Sequence, residues 1–485
     1  MKLPRATPSA VGLDAKALKD LIAELGKLDC HSVMVQRHGK VCTEGWWAPY
    51  APEHSHMLFS VSKSFTSTAI GFAVGEGLLS VKDRVMKFFA DDLPCKTCEH
   101  MQQMTVHDLL TMSTGHVDAI NTRPYAYKVV DKPERDDCLY HCLTSYVDRK
   151  PGSLFVYNNG ATYMANAILQ KLTGQKVVDY LQTRLFEPLG IKDVVWETNS
   201  YGKCLGYSGL LLGTEDLAKF GEFLLRRGMW NGKQLLPSKW FDEATKGQVT
   251  LPPSWTSNQP STSGYGYQFW VYKDDNAYRA DGLFGQFDIV MPVLDAVVTI
   301  TSGHDQGLEI AAIVPKMMKA AVLNSPKNQT REEEDLQRTA CSLKFPPPKG
   351  EASPSARARS GDVYEVAENE LGIQKMKWDF AATDSLTIWK KVTPLVIQIG
   401  HGSWVKSVHD PDPTDSRTDL FRNVAAAGAW RDGKYHFEVV HLQTPYRDVL
   451  EVRFDSHGFK ADWKTLPSAE WERSEYHLMG RPMHA

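Results

Sequence analysis

The chain has 485 residues, 42% hydrophobic and 23% charged, the balance of an ordinary globular protein of about two to four domains. Fifty-five Lys and Arg against 58 Asp and Glu leave a formal charge of −3, which argues against nucleic acid as the main partner, since phosphate binding needs a strong basic excess. No basic run or basic amphipathic helix suggests a membrane surface, and no apolar run approaches the roughly 18 residues that span a bilayer. The N-terminus, broken by Pro4 and Pro8, lacks the apolar core of a signal peptide, so a cytoplasmic location is expected.

Residues 1–323 alternate helical and strand patterns. Residues 32–47 read as a β-hairpin turning at His38-Gly39. A long helical pattern follows at 62–79, and others recur at 106–113, 161–174, 177–190 and 214–228, the last opened by Thr214 as N-cap and closed by Gly228. Strand patterns return at 265–272, 285–293 and 296–303. A helix over 308–323 closes the domain, with Pro315 kinking it or marking its first turn. Residues 324–361 are rich in Pro, Ser and charge, which is linker composition, with 341–345 as a segment able to lie on a surface. Residues 362–485 alternate in period two and read as an all-β domain.

Chemistry concentrates in three places. In Ser60-Val-Ser-Lys63 the i, i+3 spacing at a helix start sets the amine over the hydroxyl. A desolvated lysine there has a lowered pKa and can take the serine proton. On its own the motif describes equally a capping serine beside a solvated lysine, and the same spacing occurs at Ser200/Lys203 and Ser403/Lys406, where no helix opens. The second place is Tyr157-Asn158-Asn159, just before a helix. A loop tyrosine can serve as base or relay if a lysine ammonium lowers its pKa, and Asn159 can hydrogen-bond a substrate carbonyl; the plain alternative is a loop aromatic tucked into the core. The third is Ala280-Asp281-Gly282-Leu283-Phe284-Gly285-Gln286, where a glycine on a strand lets a substrate approach closely, and the next backbone N–H can complete an oxyanion hole with that of Ser60. Alone it is an ordinary glycine-bearing turn.

In order and spacing these elements resemble the class C β-lactamase family of serine hydrolases, which also includes D-aminopeptidases, carboxylesterases and 6-aminohexanoate-dimer hydrolases. The resemblance covers residues 8–323 and extends to His38-Gly39-Lys40, to 58–65, to 107–115, to Gly209-Leu210-Leu211, to Asp216-Leu217-Ala218 and to Gly264-Tyr265-Gly266-Tyr267. It implies an α+β fold: an antiparallel sheet flanked by helices, plus a helical subdomain, with the site between them. It also implies Ser60 as the acylated nucleophile, Lys63 as its base, Tyr157 as a second proton-transfer group, and a substrate-binding set of Asn159, Asp281, Gly282, Leu283 and Gln286, with Leu283 giving the second oxyanion N–H. The Gly285-Gln286 pair resembles the aminohexanoate-hydrolase and esterase branch. The departure is in the third motif. Relatives carry Lys-Thr-Gly or His-x-Gly there, whereas Ala280 supplies no cation and Asp281 opposes a carboxylate at short range.

The expected activity is therefore cofactor-free acyl transfer through an acyl-Ser60 intermediate on a small ester, amide or peptide. β-Lactamase or penicillin-binding activity is one alternative, and a non-catalytic peptide or carbohydrate binder on the same fold is another. Segments 116–150 and 245–264 are expected to wall the cleft. Eight cysteines are too sparse for a disulfide scaffold. Cys95/Cys98 and Cys138/Cys142, with His100 and His141, are weighed as a zinc knot against scattered thiols, and no metal is assigned. Trp378, Trp389, Trp404 and Trp430 are read as β-domain core rather than a carbohydrate face, and His116, His304 and His409 as packing or surface residues.

Overall fold

The computed structural model describes residues 2–92, 97–122, 124, 136–259, 261–325, 327–351, 359–380, 384–390, 394–409, 422–468 and 474–483. Alternating apolar runs over Cys30–Arg37 and Lys40–Trp46 form a hairpin at one edge of an eight-stranded sheet. Inward from it lie Ala296–Ser302, Gln286–Met291, Tyr278–Gly282, Trp270–Tyr272, Thr262–Tyr265 and Val249–Thr250, each antiparallel to its neighbour. The expected continuous strand at 265–272 is interrupted, because residues 266–269 turn with Gln268 at φ +65°. Helices Ala15–Lys27 and Leu308–Ala321 cover one face; the second helix carries Pro315 in its interior.

On the other face sits the helical subdomain around Ser62–Gly75, a helix buried on all sides from Ser62 to Ala73. Small residues let it be central: a Cβ on Gly71 would stand 2.7 Å from the Trp240 ring. Hydroxyls tie it to its neighbours. Ser62 Oγ accepts from Leu210 N (3.1 Å), Ser64 Oγ donates to Gln268 O (2.8 Å) and Thr66 Oγ1 donates to Gly206 O (2.8 Å). The 214–228 pattern forms the helix Thr214–Leu225, but Gly213 stands at its cap, and the Thr214 hydroxyl bonds Ser32 Oγ instead.

The segment read as linker contains a helix, Thr330–Cys341, whose Leu336 and Ala340 at i, i+4 bury in the layer formed with helix Ala15–Lys27. The chain then runs extended, with Lys344 bridged to Ala48 and Glu351 to Trp430. The C-terminal unit is a ten-stranded antiparallel sheet curled nearly into a barrel. Its terminal strands, Pro394–Ile399 and Val405–Val408, come together where Gly400 pairs with the Asn423–Arg431 strand (Gly428 N to Gly400 O, 2.9 Å). Trp378 and Trp430 fill its core, while Trp389 and Trp404 are half-buried, Trp404 donating to Phe345 O.

Where the barrel meets the N-terminal unit, His31 and His56 are buried and hydrogen-bonded (Nδ1 to Nε2, 3.0 Å), and His31 stacks on Tyr50 at 3.8 Å. His56 Nδ1 donates to Met57 O, and burial pushes both rings well below their usual range toward the neutral form, in which His56 Nε2 accepts from His31. No helix among the described residues is long and apolar enough to cross a membrane.

Candidate active site

Ser60 lies in a single helical turn, Phe59–Val61, directly before the buried Ser62–Gly75 helix. That placement leaves its hydroxyl half-exposed while Lys63, one turn on, is 1% exposed. Lys63 Nζ donates to Ser60 Oγ at 2.8 Å and to Tyr207 O at 3.0 Å. Burial pushes the Lys63 amine down to about 7, with the nearby Asp281 carboxylate opposing the fall. The fall moves the amine toward the neutral form, the state a base requires.

Tyr157 meets the same serine hydroxyl. Asn158 fixes the approach, since its Oδ1 caps the Asn159–Thr173 helix at Gly160 N (2.9 Å) and also takes Ile120 N (3.2 Å). The Tyr157 ring stacks on Trp270 (5.7 Å, 22°) and lies 4.8 Å from Lys63 Nζ. Burial raises the phenol well above its ordinary value, the Asp281 charge adds to this, and only its interaction with the Ser60 hydroxyl opposes it. The lysine does not make this tyrosine acidic, and it is a neutral phenol at neutral pH.

The strand Tyr278–Gly282 runs alongside. A Cβ on Gly282 would stand 2.3 Å from Leu58 O, so the strand and the serine turn touch backbone to backbone and only glycine fits. Leu283 follows in a turn closed by Gly285 N to Gly282 O (3.3 Å), and neither its N–H nor that of Ser60 meets a backbone acceptor among the described residues. Gln286 is fully buried, donating to Leu283 O (3.1 Å) and Ser302 O (2.7 Å); its amide braces the turn. Asn159 is half-buried at the helix start, with no side-chain hydrogen bond among the described residues.

Asp281 does face the site, but it is not the lone anion expected. Strand alternation puts Arg279 on the same face, and its Nε donates to Asp281 Oδ2 at 2.8 Å. Arg279 is buried and satisfied, also donating to Thr262 Oγ1 (3.1 Å) and Gln259 Oε1 (2.6 Å) beneath Trp270 and Tyr272. The sequence reading missed this arginine, although the i, i+2 spacing in Arg279-Ala280-Asp281 signals it. It also missed Tyr207, which acts through a backbone carbonyl that carries no sequence signature.

The other Ser-x-x-Lys lysines are turned elsewhere, Lys203 to Asp136 (3.1 Å) and Lys406 to Glu53 and His54. Of the candidate zinc residues, Cys95 lies outside the described residues; Cys138 and Cys142 are buried on one helix, and no cluster of three metal-binding side chains occurs among the described residues. Of the expected cleft wall at 116–150, residues 123 and 125–135 also lie outside them.

A sequence model described as Beta-lactamase matches residues 18–315, more than half of the chain. The protein belongs to the Beta-lactamase family, among its serine hydrolases. It is 25% identical over 309 residues to a 6-aminohexanoate-dimer hydrolase of Paenarthrobacter ureafaciens, covering 60% of this chain and 78% of that one. The fold is similar to a putative 6-aminohexanoate-dimer hydrolase from Bacillus anthracis (TM-score 0.55, 18% identity, 67% of this chain and 89% of that one). It is also similar to the octameric penicillin-binding protein homologue from Pyrococcus abyssi (TM-score 0.51, 17% identity), there over 95% of this chain and 99% of that one, C-terminal unit included.

Proposed function

We propose that the protein is an esterase or amidase that works through an acyl-Ser60 intermediate on neutral or amine-bearing small molecules. The observation that carries this is the desolvated Lys63 amine 2.8 Å from the half-exposed Ser60 hydroxyl. Neutral Lys63 takes the Ser60 proton as Oγ attacks the carbonyl carbon. The carbonyl electron pair moves to oxygen, and the N–H groups of Ser60 and Leu283 receive the oxyanion. As the tetrahedral centre collapses, the C–O or C–N bond breaks, and the leaving group takes a proton passed from Lys63 through the Tyr157 hydroxyl, which exchanges one proton for another without ionising. Water then attacks the ester, gives its proton to the same groups, and frees Ser60. Asn159 has an amide available for the substrate, while Gln286 serves by holding the Leu283 turn.

Substrate charge follows from the Arg279–Asp281 pair. Among the described residues the cations beside Ser60, Lys63 and Arg279, are both committed to partners, which disfavours the carboxylate of a penicillin there. The relative named for an aminohexanoate dimer agrees with a linear amide. Sparse cysteines support a reducing, cytoplasmic setting. The test is a fluorophosphonate probe followed by a screen of p-nitrophenyl esters, amino-acid amides and nitrocefin. Labelling at Ser60, with turnover lost by about a thousandfold or more in Ser60→Ala, is expected. An unlabelled wild type, or a Ser60→Ala variant that keeps its rate, overturns the reading.

A further inference from the structure

One part of the barrel reaches the segment that leads into the serine. The turn at residues 442–446 joins strands Lys434–His441 and Arg447–Asp455. Within it Gln443 O accepts the Met57 N–H (2.8 Å), and Gln443 Nε2 donates to Ser55 Oγ (3.0 Å), so the turn grips the segment that leads into Ser60. Tyr446 then packs edge-on against two rings at once, Phe59 at 6.3 Å and Phe284 at 5.8 Å, which themselves meet edge to face at 5.6 Å. Phe59 immediately precedes Ser60, and Phe284 immediately follows Leu283. Both have left-handed backbones, φ +45° and +64°. Residues other than glycine hold that conformation only where their surroundings over-determine it.

We infer that Tyr446 is a positioning residue for the oxyanion hole: by locking Phe59 and Phe284 together it sets the spacing and direction of the Ser60 and Leu283 N–H groups. The C-terminal barrel is then a working part of the active site. The inference rests on the acyl-Ser60 reading and extends it. Three features fit positioning. The ring meets the two residues that neighbour the donors, the contacts are ring to ring, and the neighbouring Gln443 ties the same turn to the backbone before the serine. A group that aligns oxyanion donors acts on the transition state more than on bound substrate, so its loss lowers turnover without weakening substrate binding.

The test uses the full chain with Tyr446→Ala, Tyr446→Phe and Tyr446→Leu, a short p-nitrophenyl ester, and phenylboronic acid as a mimic of the tetrahedral adduct. In Tyr446→Ala, kcat falls by about tenfold to a hundredfold and boronate affinity falls with it, while KM does not rise. Tyr446→Phe, which keeps the ring, restores both. Wild-type kcat and boronate affinity in Tyr446→Ala overturn the inference. So does a rise in KM alone, which makes the ring a substrate contact, or a Phe variant as impaired as Ala. If Tyr446→Ala does not fold, as judged by its thermal melt, Tyr446→Leu is held to the same criteria. Fluorophosphonate labelling of the wild type separates the two readings: absence of labelling refutes Ser60 as nucleophile, whereas normal labelling with a wild-type-like Tyr446→Ala refutes only the role of Tyr446.

Discussion

Arg279 and Asp281 form a buried ion pair, Nε to Oδ2 at 2.8 Å, two residues apart on the strand that flanks Ser60. The pair has two effects. It offsets the charge that Asp281 would turn on a substrate, and it keeps a carboxylate near Lys63, where it holds the amine from falling further. Asp281 itself is raised by burial and lowered by Arg279 and then Lys63. The strand therefore presents a near-neutral dipole in place of the usual cation.

The rate should rise with pH through about 7. As the base proposed for Ser60, Lys63 acts only when neutral, and its neutral fraction grows as pH passes the depressed value of about 7. A pH profile of kcat/KM for a neutral ester checks this. A limb that rises only near pH 10 would mean that the amine is solvated in solution.

Asp281→Asn should move that rising limb to lower pH, because it removes the negative charge that supports the Lys63 ammonium. It should also lower stability by about 3 kcal/mol or more, since it leaves the Arg279 charge buried and unpaired. Urea unfolding and the pH profile of the same variant check both, and an unmoved limb would place Asp281 outside the electrostatic reach of Lys63.

Discrimination against anionic substrates should be modest. A lone Asp281 would cost a carboxylate more than about tenfold in rate, but partial neutralisation by Arg279 brings the preference for a neutral ester to within about tenfold. Matched neutral and carboxylate-bearing esters measure it. A preference for the anion would mean that Arg279 releases its partners when substrate binds.

Gly282→Ala should cost about a hundredfold in kcat, because the added methyl meets the Leu58 carbonyl at 2.3 Å and must push the strand away from the serine turn. Turnover and fluorophosphonate labelling rates read the displacement. Wild-type rates would show that the two backbones have room to separate.

Acid should destabilise the fold through the histidine pair. Burial lowers His31 well below its usual range and His56 to about 4. An unfolded histidine takes up its proton near pH 6.5, so the unfolded state binds more protons between there and about 4, and stability falls as pH falls through that window. His56 alone contributes up to about 3 kcal/mol at its lower end. Urea midpoints at pH 7.5 and 5 should differ less in His56→Gln than in the wild type, and an equal difference would remove the pair as the cause.

What was legible from sequence was what is local. Ser60 and Lys63 meet because i and i+3 share a helical face, and the hairpin around His38-Gly39 is written in alternation over a few residues. Period-two patterns give the C-terminal unit its strands but not its closure, because the Gly400 contact joins the two ends of the sheet. The Thr330–Cys341 helix is masked by its charged composition, since only Leu336 and Ala340 carry its buried stripe. Thr214 looks like a cap until Ser32 competes for its hydroxyl. Burial, visible only in three dimensions, reverses the expected acidity of Tyr157, and pairing with Arg279 largely offsets the expected repulsion by Asp281.

The joint at Gly400 has a bearing on self-association. In an open ten-stranded sheet the two outermost strands each present a row of unpaired amides and carbonyls, a template on which another chain can add. Here Gly400 bonds at both its N–H and its C=O to the Asn423–Arg431 strand, at 3.2 Å and 2.9 Å, where the two ends of the sheet meet. Backbone groups paired in this way are not offered to another copy, and a side chain at Gly400, whose Cβ would stand 2.0 Å from Ser403 O, would disturb the turn between Pro394–Ile399 and Val405–Val408 that carries the contact.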